Sequence, residues 1–253
     1  MYFKEYGSSQ NETIILLHGG GLSWWNYRRE AELLSEDYHV ILPVLDGHAK
    51  SDHPFTTIEE NAEEIISYIE NNYDGSVFMI GGLSLGGQIL LEILSKRKNI
   101  CKYALVESAA VVPSRLTTAL IGFAFESSYP LIKNRKFARL QFHSLHMNED
   151  LFEEYYKDTC QIKKSDMIAF MKESTSYTLK KSFSDAESKI FVIAGKRENQ
   201  VIKKSAEIIY HANHNCIKNI INGYYHGEFS INHAEEYVTY IRKNIIDRFY
   251  TVT

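Results

Sequence analysis

Cysteine is scarce in this chain, and long apolar runs are missing. The three cysteines, Cys101, Cys160 and Cys216, stand apart and show no spacing typical of disulfides or metal sites. No uninterrupted apolar stretch approaches the roughly 20 residues of a membrane-spanning helix. The N-terminal stretch lacks a basic segment followed by a long apolar core, which would mark a signal peptide. We therefore expect a cytoplasmic protein without a disulfide framework or a membrane span.

An excess of basic residues is also missing. The formal net charge is −4 and the isoelectric point is near 6.2, which argues against a nucleic-acid partner. No glycine-rich loop ends in Gly-Lys-Ser or Gly-Lys-Thr, and the two histidines of "HANH" at 211–214 lack a third metal ligand. We predict no cofactor and no metal ion.

Short apolar runs alternate with amphipathic helical patterns along most of the chain. Near-continuous apolar character is typical of parallel strands covered on both faces. Residues 58–72 carry apolar positions at helical spacing, Thr57 and Glu60 fit a capping box before them, and residues 233–250 repeat the amphipathic pattern. The alternation predicts an α/β fold with a mostly parallel central sheet flanked by helices. The expected strands are residues 13–18, 38–43, 76–82, 102–108, 189–195 and 216–223.

The alternation breaks at residues 113–184. This stretch contains several consecutive helical patterns and no convincing strand, which indicates a helical insertion over the edge of the sheet. We therefore divide the chain into a first part of the α/β core at 1–112, a helical cap at 113–184 and a second part of the core at 185–253.

Ser84 lies in a glycine-rich junction between a predicted strand and a predicted helix. The segment Gly82-Leu83-Ser84-Leu85-Gly86 has the Gly-x-Ser-x-Gly pattern of a nucleophile elbow. A sharp strand-to-helix turn strains the residue at its apex, and glycines two residues away on each side relieve the crowding. A glycine-rich structural turn is the alternative, but the flanking strand and helix favour an exposed, nucleophilic hydroxyl.

The chain resembles the α/β-hydrolase fold family, in the form that carries a helical cap. "LLHGGGLSWWNY" is similar to that family's His-Gly segment after an early strand, where a backbone amide joins the oxyanion hole. The resemblance implies this position for the amide of Gly20, and the amide of Leu85 as the second donor. Each preorganised donor is typically worth about 10²–10³ in rate. His18 is expected to hold this loop by packing and hydrogen bonding.

The histidine of the site is expected between the last strand and the last helix. Family members carry it in a loop that reaches over the elbow, and His226 lies in such a loop between Gly223 and Gly227. The resemblance therefore implies His226 as the general base of a serine nucleophile. His233 is the alternative, but its place at the start of the last helix suits a capping or surface role.

An acidic side chain must orient the histidine and stabilise its charged form. Glu198 follows Gly195 by three residues, just beyond a predicted strand, where the family usually has the aspartate of a Gly-x-x-Asp pattern. The chain order of Ser84, Glu198 and His226 agrees with that of the family. Glu107, at the end of the strand after the elbow, is the alternative, because some related enzymes place their acid there.

The loop after the second predicted strand departs from the family pattern. In its Asp-x-x-Gly-x-Gly-x-Ser turn, Val44 replaces the aspartate and Ala49 replaces the second glycine. The shape of the loop therefore stays open at this point. Asp46 and His48 are expected to be structural, because one Asp-x-His pair falls short of a metal site.

These residues imply a serine hydrolase that cleaves a small or medium carboxylic ester through an acyl-enzyme. A serine nucleophile argues against haloalkane dehalogenation, for which relatives use aspartate. The cap and the tryptophan pair at 24–25 are expected to select the substrate, with Trp24 and Phe123 as substrate-binding residues. The partner is thus a small-molecule acyl ester, and the chain is expected to be a monomer or a homodimer.

Two other classes of function stay open. One is a ligand-binding protein on a hydrolase scaffold, and the other is a lyase or carbon–carbon hydrolase that uses the same site, since the fold alone does not choose among them.

Overall fold

Seven strands form one sheet in the computed structural model, which describes residues 1–246. The six predicted strands are confirmed, with ends that move by at most two residues, and one further strand precedes them. The strands are β1 (Tyr2–Tyr6), β2 (Thr13–Leu17), β3 (His39–Val44), β4 (Val77–Leu83), β5 (Cys101–Glu107), β6 (Lys189–Gly195) and β7 (Cys216–Ile221).

The strand that sequence patterns missed, β1, pairs antiparallel with β3 at the edge of the sheet. Its residues are exposed or half-buried, so it lacks the continuous apolar character that marks the other strands. All other neighbouring strands are parallel, in the spatial order β1-β3-β2-β4-β5-β6-β7. The sheet is therefore mostly parallel, as predicted.

Most of the parallel strands are largely apolar because both faces of the sheet are covered, whereas β7 at the edge is only partly buried. In β2, Ile15 and Leu17 belong to one buried cluster, whereas Ile14 and Leu16 belong to another on the opposite side. Successive side chains of a strand point to opposite faces, so every position of β2 is buried.

Ten α-helices lie in the described part of the chain. Thr57 caps the helix α2 (Ile58–Asn72), because its side chain accepts a hydrogen bond of 3.0 Å from the Glu60 amide. The predicted helix at 233–250 begins in α10 (Ala234–Ile241) and continues as a π-helical turn to Ile246; its positions 247–250 lie outside the described residues. The helices are α1 (Arg28–Leu34), α2 (Ile58–Asn72), α3 (Leu85–Lys96), α4 (Arg115–Ile132), α5 (Arg135–Ser144), α6 (Phe152–Thr159), α7 (Lys164–Ser176), α8 (Gln200–Ala212), α9 (Glu228–Asn232) and α10 (Ala234–Ile241).

Helices α4 to α7 occupy the connection between β5 and β6, and the structure assigns no strand between Glu107 and Lys189. Hydrogen bonds join these helices and their loops: the Thr118 and Thr175 hydroxyls lie 2.9 Å apart, and the Tyr129 hydroxyl donates over 2.8 Å to the carbonyl of Ile162 in the loop before α7. The exact boundaries of the cap at 113 and 184 stay a prediction. Within residues 1–246, every helix is too short or too polar to cross a bilayer.

Candidate active site

Ser84 stands at the apex of the turn from β4 into α3. Its backbone has φ 52° and ψ −110°, a left-handed conformation that is uncommon for any residue with a side chain. Close backbone approach explains two of the glycines. A Cβ atom at Gly82 would lie 2.4 Å from the carbonyl oxygen of Gly86, and one at Gly86 would lie 2.1 Å from that of Leu17. The sequence therefore builds a strained elbow that holds the Ser84 hydroxyl out at the carboxyl edge of the sheet.

Three predicted side chains form a hydrogen-bonded chain. The Oγ of Ser84 lies 3.0 Å from Nε2 of His226, and Nδ1 of His226 lies 2.8 Å from Oε2 of Glu198. Because a carboxylate only accepts, Nδ1 carries the proton and Nε2 is left to accept one from the serine. The His226 side chain is 46% exposed and the Glu198 side chain is fully buried. The imidazole is therefore accessible to solvent, whereas the acid that contacts it is not.

Glu198 is fixed by donors on all sides of its carboxylate. Besides His226, its Oε1 accepts 2.8 Å from the hydroxyl of Ser108 and 2.7 Å from the amide of Gly195. Carboxylates are stabilised by several such charge-assisted bonds. Ser108 was not singled out from the sequence, although a polar residue directly after a buried strand at this edge of the sheet is a usable signal.

The alternative acid, Glu107, lies in a poorer environment. Its Oε1 accepts one long bond of 3.3 Å from the Ser230 amide, and its Oε2 has no hydrogen-bond partner within the described residues. Burial raises the pKa of Glu107 to about 7, because desolvation disfavours the charged form. The structure brings Glu198, and not Glu107, into hydrogen-bond contact with His226.

The two residues predicted to donate to an oxyanion lie near Ser84. Leu85 opens α3 directly after Ser84, and a first-turn amide has no carbonyl within its own helix to bond. The Gly20 backbone lies close by, since a Cβ atom there would sit 3.5 Å from Cδ2 of Leu85. In the part of the chain that the structure describes, no hydrogen bond is made by the Gly20 or Leu85 amide.

Two buried histidines hold the Gly20 loop. His48 Nε2 accepts 3.0 Å from the Gly21 amide, while His48 Nδ1 donates 3.0 Å to the Asp46 carbonyl. His18 Nε2 accepts from the Leu45 amide at 3.1 Å, and its Nδ1 donates to the Gly19 carbonyl at 2.8 Å. Burial lowers the pKa of His48 to about 4 and also lowers that of His18, so both are neutral acceptors at neutral pH.

The departure from the family pattern at 44–49 thus has a structural answer. Val44 ends β3 and is fully buried, and Ala49, which is 4% exposed, has no positive φ that would favour glycine. The loop is instead anchored by the ring of His48, which stacks on Phe170 of α7 with ring centroids 4.8 Å apart. The role of His48 toward the Gly20 loop was not predicted.

One group in the described residues has side chains arranged so that they could hold a metal ion. Ligand atoms of Asp46, His53 and Glu64 lie within 4.8 Å of one another. Burial and the nearby Glu64 raise the pKa of Asp46 to about 6. None of these three residues lines the cavity beside Ser84.

A cavity of about 270 Å³ opens beside Ser84 and His226. Its far wall comes from residues 144–147 of the cap, which are held in place by Asn232 of α9. The Asn232 side chain donates 2.6 Å to the carbonyl of His146 and accepts 3.0 Å from the amide of Asn148. Apolar lining is supplied by Leu22, Leu83, Leu145, Met147 and Ile231, and polar lining by Ser144, His146, Arg197, Asn199 and Tyr225.

The structure does not bring the two predicted substrate-binding residues to this cavity. Phe123 lies on the outer side of α4 and is 79% exposed. The Trp24 ring instead lies among cations, with Lys50 Nζ 5.4 Å and Arg28 Cζ 5.8 Å from its centroid. Helical spacing and aromatic character do not show which direction a side chain faces. Leu22 and residues 144–147 were therefore not predicted to line the cavity.

A seven-stranded, mostly parallel sheet with a strained serine elbow and a helical insertion is the architecture of an α/β hydrolase. Residues 12–220 match the family model described as the alpha/beta hydrolase fold. The chain therefore belongs to the α/β-hydrolase fold family.

Individual relatives point in the same direction. The chain is 29% identical over 140 residues to Lipase 1 of Psychrobacter immobilis and 30% identical over 140 residues to Lipase 3 of Moraxella sp. (strain TA144). Each alignment covers 54% of this chain and 44% of the lipase, so the match spans less than half the length of these relatives. An esterase from Exiguobacterium antarcticum superposes with a TM-score of 0.80 over 96% of this chain and 94% of its own, at 17% identity. That likeness shows the fold alone.

Proposed function

We propose that the protein is a serine hydrolase that cleaves small or medium carboxylic esters. The observation that carries the proposal is the hydrogen-bonded chain from Ser84 through His226 to Glu198, at 3.0 Å and 2.8 Å. The nucleophile, the base and the acid are thus within the distances that proton transfer requires. The sequence similarity to two lipases supports ester hydrolysis as the reaction.

The geometry supports an acyl-enzyme mechanism. His226 Nε2 takes the Ser84 proton as Oγ attacks the ester carbonyl, and Glu198 stabilises the imidazolium through its bond to Nδ1. The amides of Gly20 and Leu85 donate to the tetrahedral oxyanion. The imidazolium then protonates the departing alcohol. Water, deprotonated by His226, attacks the acyl-enzyme and releases the carboxylic acid and free Ser84.

The size of the cavity supports a short acyl group. Its volume of about 270 Å³ lies just below the range of about 300–1,000 Å³ that holds drug-sized ligands. The apolar side chains of Leu22, Leu83 and Ile231 offer a surface for a few methylene groups.

Labelling with a fluorophosphonate tests the proposal without a guess about the substrate. The Ser84 oxygen forms a bond to phosphorus, fluoride leaves, and the intact mass rises by one adduct. We expect one adduct per chain, lost in Ser84→Ala and in His226→Ala, but retained in His233→Ala, which changes the rival histidine. Absence of an adduct on the folded protein would contradict the serine-hydrolase proposal and favour ligand binding or lyase chemistry.

A further inference from the structure

Among the described residues, Arg197 differs from most arginines in having no acidic partner. Of the eight arginines among residues 1–246, six form ion pairs with carboxylates; they are Arg28, Arg29, Arg97, Arg135, Arg139 and Arg242. Arg115 and Arg197 form none within the described residues. Arg197 lines the cavity beside Ser84, whereas Arg115 lies at a separate surface depression.

The Arg197 guanidinium lies over an aromatic ring instead. Its Cζ lies 5.3 Å from the centroid of Tyr225, and the same ring stacks on His146 with centroids 3.9 Å apart. A guanidinium can lie over an aromatic ring and still donate from its N–H groups to a planar anion. Arg197 directly precedes Glu198 in the chain, so the two residues belong to the same loop.

Arg197 is exposed to solvent, and no carboxylate among the described cavity residues is free to pair with it. Glu198 is the one acidic residue that lines the cavity in the described structure. Its carboxylate already accepts bonds from His226, Ser108 and Gly195. A carboxylate accepts both N–H groups of an arginine at once, which makes this pairing stronger and more directional than a neutral hydrogen bond.

From the unpaired Arg197 guanidinium and the serine that share one small cavity, we propose that the ester substrate carries a carboxylate, which Arg197 binds while Ser84 attacks the ester carbonyl. The substrate class is therefore a half-ester of a short dicarboxylic acid. This inference rests on the proposed ester hydrolysis and adds the specificity of that site. Arg197 is a specificity-determining residue, because it binds a part of the substrate that does not react.

Two esters of matched shape test this specificity. Monoethyl glutarate carries a carboxylate at pH 7.5, and ethyl 4-carbamoylbutanoate carries a neutral amide in its place. We expect kcat/KM, measured by pH-stat titration, to favour the anion by about tenfold or more, which corresponds to about 1.4 kcal/mol. Arg197→Gln should bring the ratio of the two esters close to one, mainly through the KM of the anion. Arg197→Lys should keep part of the preference.

The neighbouring cation provides the matched control. Lys196 is exposed and does not line the cavity, so Lys196→Gln should leave the ratio unchanged, although it removes the same charge from the same loop. An equal preference for both esters in the native protein, or a ratio that Arg197→Gln does not change, overturns the inference. If a Ser84-dependent hydrolysis of the neutral ester persists in that case, the proposed function stands and only the specificity fails.

A binding measurement covers the case in which neither ester is hydrolysed. Isothermal titration of the Ser84→Ala variant with monoethyl glutarate should show binding that adding Arg197→Gln removes. Such binding would support the carboxylate site even without ester hydrolysis. No binding to the Ser84→Ala variant would overturn it.

Discussion

Two buried carboxylates lie at the carboxyl edge of the sheet, and their surroundings differ sharply. Glu198 accepts from a histidine, a hydroxyl and an amide at 2.7 to 2.8 Å. Glu107, one strand away, accepts a single bond of 3.3 Å and leaves its second oxygen without a partner in the described residues. Burial by itself disfavours a charged carboxylate, and donors offset that cost.

The comparison teaches that donors, and not position at the edge of the sheet, decide which acid can serve a histidine. An acid that must stabilise an imidazolium has to be charged when the imidazolium forms. The Glu198 carboxylate accepts hydrogen bonds from His226, Ser108 and Gly195. The pKa of Glu107, raised to about 7 by burial, leaves it substantially protonated near neutral pH.

The largest expected effect follows from neutralising Glu198. Glu198→Gln keeps the shape but places an amide against His226 Nδ1, so the imidazole loses its stabilising charge and its preferred tautomer. We expect kcat for an ethyl ester to fall by about 10⁴-fold, the order seen when such an acid becomes an amide. If Glu107 were the acid, Glu107→Gln would show this loss and Glu198→Gln would not.

A smaller effect is expected from one of the donors around Glu198. Ser108→Ala removes a hydrogen bond of 2.8 Å and leaves the Gly195 amide and His226 in place. A hydrogen bond to a charged group is worth about 1.5–3 kcal/mol, of which only part is felt in the transition state, so we expect kcat/KM to fall about tenfold.

Ser95→Ala is the control for this change. Ser95 donates only to the Leu91 carbonyl within α3, and its removal should leave kcat/KM unchanged. An unchanged rate for Ser108→Ala as well would show that the Gly195 amide alone suffices to hold Glu198.

How much of this could be read from the sequence depends on how local each feature is. The strands were predictable because residues such as Ile14 and Ile15 are buried on opposite faces of the sheet, which leaves a continuous apolar run. The elbow was predictable because its Gly-x-Ser-x-Gly pattern spans only five residues, and Gly82 is required by a backbone contact with Gly86; the contact that requires Gly86 is with Leu17 of β2, far away in the chain.

Features that depend on distant segments were not predictable to the same degree. Glu107 ends a buried strand and Glu198 follows one, so sequence patterns left both open. The choice depends on contacts from separate loops, with His226 and with Ser108, whose backbone turns with φ 56°. Phe123 has the spacing of an apolar helix face, but the spacing does not reveal that this face meets solvent. The structure agrees best with the prediction from sequence where a feature depends on residues that are close together in the chain.

Glu107→Gln is expected to have the smallest effect on rate. It should also change how stability depends on pH. The variant resembles the protonated acid, so kcat for the ethyl ester should stay within about threefold of the native value. Because the pKa of Glu107 is raised to about 7 from an ordinary value of 4.5, the folded state binds its proton more tightly than the unfolded state. The stability that this proton contributes is present at pH 4.5 and is lost as the pH rises through 7.

Urea unfolding of the native protein and of Glu107→Gln at pH 5 and pH 7.5 measures that loss. We expect the native protein to lose up to about 3 kcal/mol of unfolding free energy relative to the variant over this interval. His48 titrates in the opposite sense, since its lowered pKa of about 4 makes stability fall as the pH drops below 6.5, but it does so equally in both proteins and cancels in the difference. Parallel curves for the two proteins would mean that Glu107 is charged in the folded state, and the contrast with Glu198 would then rest on geometry alone.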